Sequence, residues 1–209
     1  MKKRKGTKVL GIGKGTKVAQ NILVAKGRTL DSINQEITSC TKCTQLCRSR
    51  LAPTEAKGNK NNPEIIVVGE APGKQEDVQG IPFVGRSGQL LDVMLKGFDW
   101  GIDTCYFTNI VRCRPENNRT PTDQEISNCR GYLDVEIEQL KPKGLILLGK
   151  TAQVITDQKD KRSITQVNGL PTLKLQHPAY LLRNPELFRG SPKWLAWQNL
   201  IRFKVLLNH

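Results

Sequence analysis

The chain has 209 residues, of which 25% are charged and 37% hydrophobic, and a formal net charge of +14. That length suits one domain of roughly 150–200 residues plus an appendage, long enough to bury a proper core. No apolar run approaches the roughly 20 residues of a membrane span, and the basic start MKKRKGTKVLGIGKGTK lacks the apolar stretch of a secretory signal, so a cytoplasmic protein without a membrane partner is expected.

Residues 1–31 hold nine basic side chains and one acidic, Asp31, so this segment alone carries +8. Residues 1–30 read as a basic flexible arm. The pentapeptide Lys-Gly-Thr-Lys-Val occurs at 5–9 and again at 14–18, with no helical or strand period between. A strongly basic tail on a basic body predicts a polyanionic partner, most often nucleic acid, against the plainer reading of a solubilising tail. The phrase GIGKGTK is not a P-loop, because Gly15 follows Lys14 where Ser or Thr is needed and no strand precedes it.

From residue 31 four apolar runs follow, each ending in unusual chemistry. Ile65–Val68 runs into Gly69-Glu70-Ala71-Pro72-Gly73, and Tyr106–Val111 into Arg112-Cys113. Leu145–Leu148 runs into Gly149-Lys150, and Thr172–Gln176 into His177-Pro178. The first and third are continuous apolar runs bounded by Gly and Pro, the pattern of strands buried on both faces.

Helical segments lie between. Gln89–Phe98 is apolar at Leu90, Leu91, Met94 and Leu95, and Thr122-Asp123-Gln124-Glu125 reads as a capping box opening a helix with Ile126, Cys129, Tyr132, Leu133 and Ile137 on one side. Thr151–Ile155 and Trp194–Leu207 complete the set. Alternating strands and helices predict an α/β fold, a three-layer αβα sandwich around a central four-stranded parallel sheet. Ligands of such sheets bind beyond the carboxyl ends of the strands, where Gly69/Glu70, Asn109, Gly149 and His177 all fall.

Six cysteines without an export signal point to metal or redox chemistry rather than disulfides. Cys40 and Cys43 form a Cys-x2-Cys pair, which places two thiolates on one turn; Cys113 and Cys129 lie further on. For such spacing alone zinc is the more frequent outcome. Cys47, in the same loop, competes as a ligand, Cys105 reads as a buried thiol at a strand start, and spacing does not choose four from six.

Together these residues resemble the family 4 uracil-DNA glycosylases, the iron–sulfur branch of that superfamily. The matching segments are GEAPGKQED at 69–77, GIPFVGRSGQLL at 80–91, TNIVRCRPENNRTPT at 108–122, LILLGKTA at 145–152, HPAYLLRNP at 177–185 and GSPKWLAW at 190–197. They follow the family's order over about residues 38–207. The resemblance implies a glycosylase domain over 31–209 with a structural [4Fe–4S] cluster on Cys40, Cys43, Cys113 and Cys129, acting as a monomer on uracil-containing DNA. It also implies a DNA-facing surface around Arg114 and Arg119.

An enzyme of this kind must flip the nucleotide, stack the base, read its edge and stabilise charge on the leaving uracil. Phe83 is the candidate stacking face, against the plainer reading of a core aromatic. Asn109 can offer its amide to the uracil edge, a pairing cytosine would fail, although an Asn ending a strand is often a turn former. His177, one of two histidines, can donate to uracil O2, one well-aimed donor supplying about 3–4 kcal/mol. Glu70 is the choice for positioning water, with Glu76 and Asp77 as alternatives that could instead order the loop. Where the best-known relatives in the superfamily carry Asp, this chain has Ala71, whose backbone is expected at the uracil. Leu181 and Leu182 are candidates for a wedge into the base stack, and Arg183, Ser191 and Lys193 for phosphate contacts.

Two other readings compete. The branch that is trapped covalently on DNA needs a histidine in a Lys/Arg-rich insertion, and the corresponding stretch here, RPENNRTPT, has neither. A non-catalytic DNA-binding accessory module of replication would not need Glu70, Phe83, Asn109 and His177 together. A fused origin, with the arm joined to a polymerase or another replication or repair partner, is compatible with the basic start.

Overall fold

A computed structural model of the chain describes residues 27–209, so the expected arm lies outside the described residues except for its last four. Of those four, Thr29 caps the first helix, α1 (Leu30–Thr38), through a reciprocal box with Ser32. A short helix α2 (Thr44–Ser49) follows, then an edge strand β1 (Lys57–Gly58).

The α/β core begins at β2 (Ile65–Gly69). It continues through α3 (Lys74–Gln79), α4 (Arg86–Lys96), β3 (Cys105–Asn109), α5 (Asp123–Leu140), β4 (Gly144–Leu148) and the short α6 (Gly149–Ala152). The antiparallel pair β5 (Ile164–Val167) and β6 (Leu170–Leu175), then α7 (Pro178–Arg183) and α8 (Pro192–Leu207), complete the described chain.

The sheet order is β1-β3-β2-β4-β6-β5. Its four central strands are parallel, as the apolar runs predict. The sheet is nevertheless six-stranded and mixed, because β1 and β5 pair antiparallel along its two edges. Neither carries a continuous apolar run: β1 is two residues long, and β5 sets Thr165 and Gln166 between Ile164 and Val167;. The predicted capping box is present, with Thr122 and Glu125 reciprocally bonded at the start of α5.

Alternation along the strands sorts the core into two layers. Ile66, Val68, Tyr106, Leu145 and Leu147 face α1 and α5, where Ile33, Ile37 and Leu133 meet them. Ile65, Val67, Phe107, Ile146, Leu148 and Leu173 face α4 and α8, against Leu95, Leu200 and Phe203. Helices on both faces make the αβα sandwich. From β2 the chain steps outward to β3, then returns past β2 to β4, so the strand order reverses at β2 and opens a crevice at its carboxyl end;.

Candidate active site

At that reversal lies a crevice of about 680 Å³, lined among others by Glu70, Ala71, Phe83, Asn109, His177 and Arg183. Six expected site residues from four segments thus share one cavity. Its walls follow from strand alternation. Gly69 and Asn109 are register partners at the last step of β2 and β3, on the face that Val67 and Phe107 occupy one step earlier.

Gly69 is where side chains meet above the sheet. A Cβ there would overlap Asn109 Oδ1 and come within 2.7 Å of Phe83 Cζ, so glycine lets ring and amide converge. Asn109 is 3% exposed, and its amide makes no side-chain hydrogen bond among the described residues. Asn109 lines the crevice, so its amide is free to meet a ligand there.

Phe83 is held in the left-handed region, with φ of 55°, an unusual conformation for a bulky side chain;. Such strain costs on the order of 1–3 kcal/mol and persists only where the surroundings enforce it. Here they do. Glu76 Oε1 accepts from the backbone N–H groups of Val84 and Gly85, at 3.1 and 2.8 Å. Lys57 Nζ, on the edge strand, donates to Phe83 O at 3.0 Å. A side chain at Gly88 would run into the Phe83 backbone. The ring meets Phe107 edge-on at 6.1 Å between centroids.

The alternative carboxylates are accounted for by structure. Glu76 ties the Phe83 loop, and buried Asp77 accepts from Leu51 N–H at 2.9 Å. Glu70 remains, half-buried at the crevice floor, with Oε2 accepting from the Thr151 hydroxyl at 2.5 Å. Thr151 and Lys57 are residues that sequence reasoning missed, since each acts on a partner far away in the chain.

His177 caps α7 by accepting Ala179 N–H on Nδ1 at 3.2 Å. In the neutral ring that acceptor role leaves the proton on Nε2. Burial pushes the imidazole pKa below its ordinary value; the nearby Glu70 charge opposes the shift and Arg183 reinforces it.

The expected DNA contacts divide. Arg183 is exposed at the crevice rim and Lys193 is half-buried in the first turn of α8. Ser191 is 2% exposed, and its hydroxyl caps α8 by accepting Trp194 N–H. Leu181, expected as part of a wedge, is instead a fully buried core residue on the α4/α8 face, and could enter a base stack only by leaving the core. Leu182 is half-buried. Arg119 makes a bidentate pair with Glu125, at 2.7 and 2.8 Å, on the far wall of the same crevice.

Four cysteines gather behind this wall. Cys113 and Cys129 are buried in the α1/α5 layer, and Cys40 and Cys43 pack against it. Arg50 Nη1 donates to Cys113 Sγ at 2.7 Å and its Nη2 to Cys40 O at 2.7 Å, while Asn128 Nδ2 donates to Cys43 Sγ at 3.3 Å. Cys47 Sγ is turned onto Cys40 O at 3.6 Å, and Cys105 belongs to the opposite layer. Among the described residues, no three Cys, His, Asp or Glu side chains converge as the ligands of a single ion.

Comparison with known proteins agrees with this architecture. A family model described as the uracil DNA glycosylase superfamily matches residues 56–201. The chain is 37% identical over 173 residues to a type-4 uracil-DNA glycosylase of Archaeoglobus fulgidus, covering 76% of this chain and 86% of the relative. A type-4 uracil-DNA glycosylase of Thermotoga maritima is 37% identical over 163 residues, covering 74% and 84% of the two chains. One of Sulfurisphaera tokodaii is 38% identical over 175 residues, covering 76% and 78%. With the family model covering residues 56–201 and these relatives matched over about three quarters of its length, this chain belongs to the uracil DNA glycosylase superfamily, among its type-4 members.

Proposed function

We propose that this chain is a monofunctional DNA-repair enzyme that flips uracil out of DNA and hydrolyses its N-glycosidic bond, leaving an abasic site. The observation that carries the reading is the meeting over Gly69 of an Asn109 amide that lines the crevice without a side-chain hydrogen bond among the described residues and a Phe83 ring held at positive φ. The ring offers a face to a planar base. The amide donates to uracil O4 and accepts from N3–H, whereas cytosine presents a donor and an acceptor in the reverse order. A buried polar group left unpaired by the wrong base is a strong discriminator.

His177 supplies the electrostatic part. As glycosidic bond cleavage proceeds, negative charge accumulates on uracil O2, and the Nε2–H of a neutral, preoriented imidazole donates to it. Glu70, fixed by Thr151 through one oxygen, has its other oxygen for the water that attacks the sugar carbon. With Ala71 adding no carboxylate, Glu70 carries that role alone. Arg183 and Lys193 contact backbone phosphates, which makes binding fall with salt.

Cys40, Cys43, Cys113 and Cys129 would hold a [4Fe–4S] cluster. Such a cluster takes each thiolate on a separate iron, so it needs four cysteines in one neighbourhood rather than convergence on one ion. The N–H···S bonds from Arg50 and Asn128 suit anionic sulfur. When bound, the group supplies a cross-link between the segment before β1, the end of β3 and α5, with no step of the reaction passing through it. The protein acts as a monomer, and residues 1–30 add non-specific affinity for DNA or a site for a replication or repair partner.

The test is to incubate the purified protein with a uracil-containing oligonucleotide, treat with alkali and look for strand scission. Loss of uracil from single- or double-stranded substrate is expected; none from either sinks the assignment. Metal analysis of the same preparation should find about four irons and four sulfides per chain, and zinc in their place would overturn the cluster.

A further inference from the structure

Phe83 O and Val84 N–H belong to one peptide unit, and the fold grips that unit at both ends. The carbonyl accepts from Lys57 Nζ at 3.0 Å. The N–H donates to Glu76 Oε1 at 3.1 Å, and the next N–H, of Gly85, to the same oxygen at 2.8 Å. A cation thus meets the negative end of the peptide dipole and an anion its positive end. Hydrogen bonds with one ionised partner are roughly twice as strong as neutral ones. The gripped peptide directly follows the Phe83 side chain, whose own φ of 55° is the strained one;.

The two grips arrive from different parts of the fold. Lys57 is the register partner of Phe107 across the β1/β3 pair, and its ammonium lies over the Phe107 ring, 5.5 Å from the centroid. Phe107 in turn meets the Phe83 ring edge-on. Glu76 stands in the first turn of α3, where two glycines leave its carboxylate room. A Cβ at Gly73 would lie 2.7 Å from Oε2, and one at Gly85 3.2 Å from Oε1. Lys57 is half-buried, and burial pushes its pKa below the ordinary lysine value, against the opposing charges of Asp92 and Glu76. An ammonium is costly in that place, and packing alone would be served by an apolar side chain, so the charge points to the bond it makes. Lys57 is not among the residues that line the crevice, which leaves Phe83 as its route to a bound base.

We propose that Lys57 and Glu76 are positioning residues for excision, which clamp the 83–84 peptide and so hold the Phe83 ring in its stacking pose before the base arrives. The cost of the left-handed conformation is then met on folding, and none of it falls on the flipping step. The proposal rests on the uracil-excision reading and says how its stacking face is kept ready.

The experiment is a double-mutant cycle of wild type, Lys57→Met, Phe83→Ala and the double variant, read by single-turnover release of uracil from one oligonucleotide over a range of enzyme concentrations. Lys57→Met keeps an apolar stem and removes the ammonium. Its maximal rate should fall roughly tenfold, the size of effect carried by one hydrogen bond to a charged group. The enzyme concentration giving half that rate should stay within about twofold, because phosphate contacts are untouched. With Phe83→Ala already in place, the same substitution should change the rate by less than about twofold, since residues that act through one another are not additive. Lys57→Arg, which keeps the cation, should retain most of the rate. Glu76→Gln, which keeps an acceptor oxygen without the charge, should show the same dependence on Phe83, and it carries the cycle if Lys57→Met fails to fold. A loss that persists in full without the Phe83 ring, or a variant as fast as wild type, overturns the proposal. A wild-type protein that releases no uracil overturns the excision reading instead, and is recognised without any variant.

Discussion

The two faces of the sheet are built from the same four strands by opposite means. The face toward α4 and α8 is apolar from Ile65 to Phe203. The face toward α1 and α5 carries a wholly buried charge pair, Arg112 and Glu136, at 2.5 Å. Tyr106 donates to Glu136 Oε1 at 2.8 Å and Thr108 to its Oε2 at 3.1 Å, while Arg112 Nη1 has no partner among the described residues. One step beyond its last apolar row, the first face becomes the wall of the crevice at Gly69 and Asn109, the proposed uracil site. The second leads through Arg112 into Cys113. The difference teaches a division of labour. A featureless apolar layer can end in a ligand pocket because little but packing fixes its chemistry, whereas a polar network tolerates only one arrangement and suits the face that fixes the cysteines.

The sharpest way to break this comparison is Glu136→Ala. It leaves Arg112 charged, buried and without its counter-ion, so the loss of stability should be about 3–5 kcal/mol. In a chain of this size that lowers Tm by on the order of 10 °C. Denaturant unfolding of the purified variant measures it. A loss under about 1 kcal/mol would mean that water reaches the pair, and the contrast between the faces would fail. Replacing the pair by apolar residues of similar volume, Arg112→Met with Glu136→Leu, should recover much of the loss, since the penalty lies in the orphaned charge rather than in a missing attraction.

His177→Ala tests the other side. It removes the donor proposed for the leaving group, on a residue that belongs to neither apolar layer. Turnover should fall about 100- to 1,000-fold, as for loss of one oxyanion-type donor, with stability lowered only by about the 1 kcal/mol of a lost helix cap, and affinity for uracil-free duplex should be unaltered. Single-turnover kinetics with saturating enzyme separate this from binding. A variant that binds more weakly yet turns over normally would make His177 a docking residue.

How much of this was legible beforehand follows the same divide. The four central strands could be read because three are wholly buried, the fourth alternates around Leu173 and Leu175, and each runs into Gly, Asn or His. The crevice could be placed because the ends of parallel strands lie together whatever covers them. The edge strands could not be read: Lys57–Gly58 is two residues long, and its pairing partner is some 50 positions away. Likewise, neither Glu76 as the brace of the Phe83 loop nor Thr151 as the anchor of Glu70 has a local signature, since each bond joins segments that only the fold brings together. In HPAYLLRNP the pair Leu181 and Leu182 reads as one buried and one exposed leucine without saying which; helix α7 turns Leu181 inward and leaves Leu182 half-buried.

The smallest effect bears most directly on the chemistry. Burial holds the His177 pKa below its ordinary value, against the nearby Glu70 and, more weakly, Glu76, and with Arg183. An unfolded chain takes up a proton on this ring as pH falls past about 6.5, while the folded chain resists until a lower pH. The unfolded state then binds more protons, so stability falls with acidification. The His177 contribution is present in full above about 6.5 and is lost as pH drops through the folded value. The difference in unfolding free energy between wild type and His177→Gln should therefore be flat at neutral and alkaline pH and should shrink on the acid side. Growth of that difference on acidification would mean that Glu70 holds the ring protonated in the fold. The donor to uracil would then be an imidazolium, Nδ1 would no longer accept Ala179 N–H, and the helix cap and the catalytic tautomer would fail together. One titration of stability thus decides whether the cap on α7 also sets which nitrogen of His177 meets the departing base.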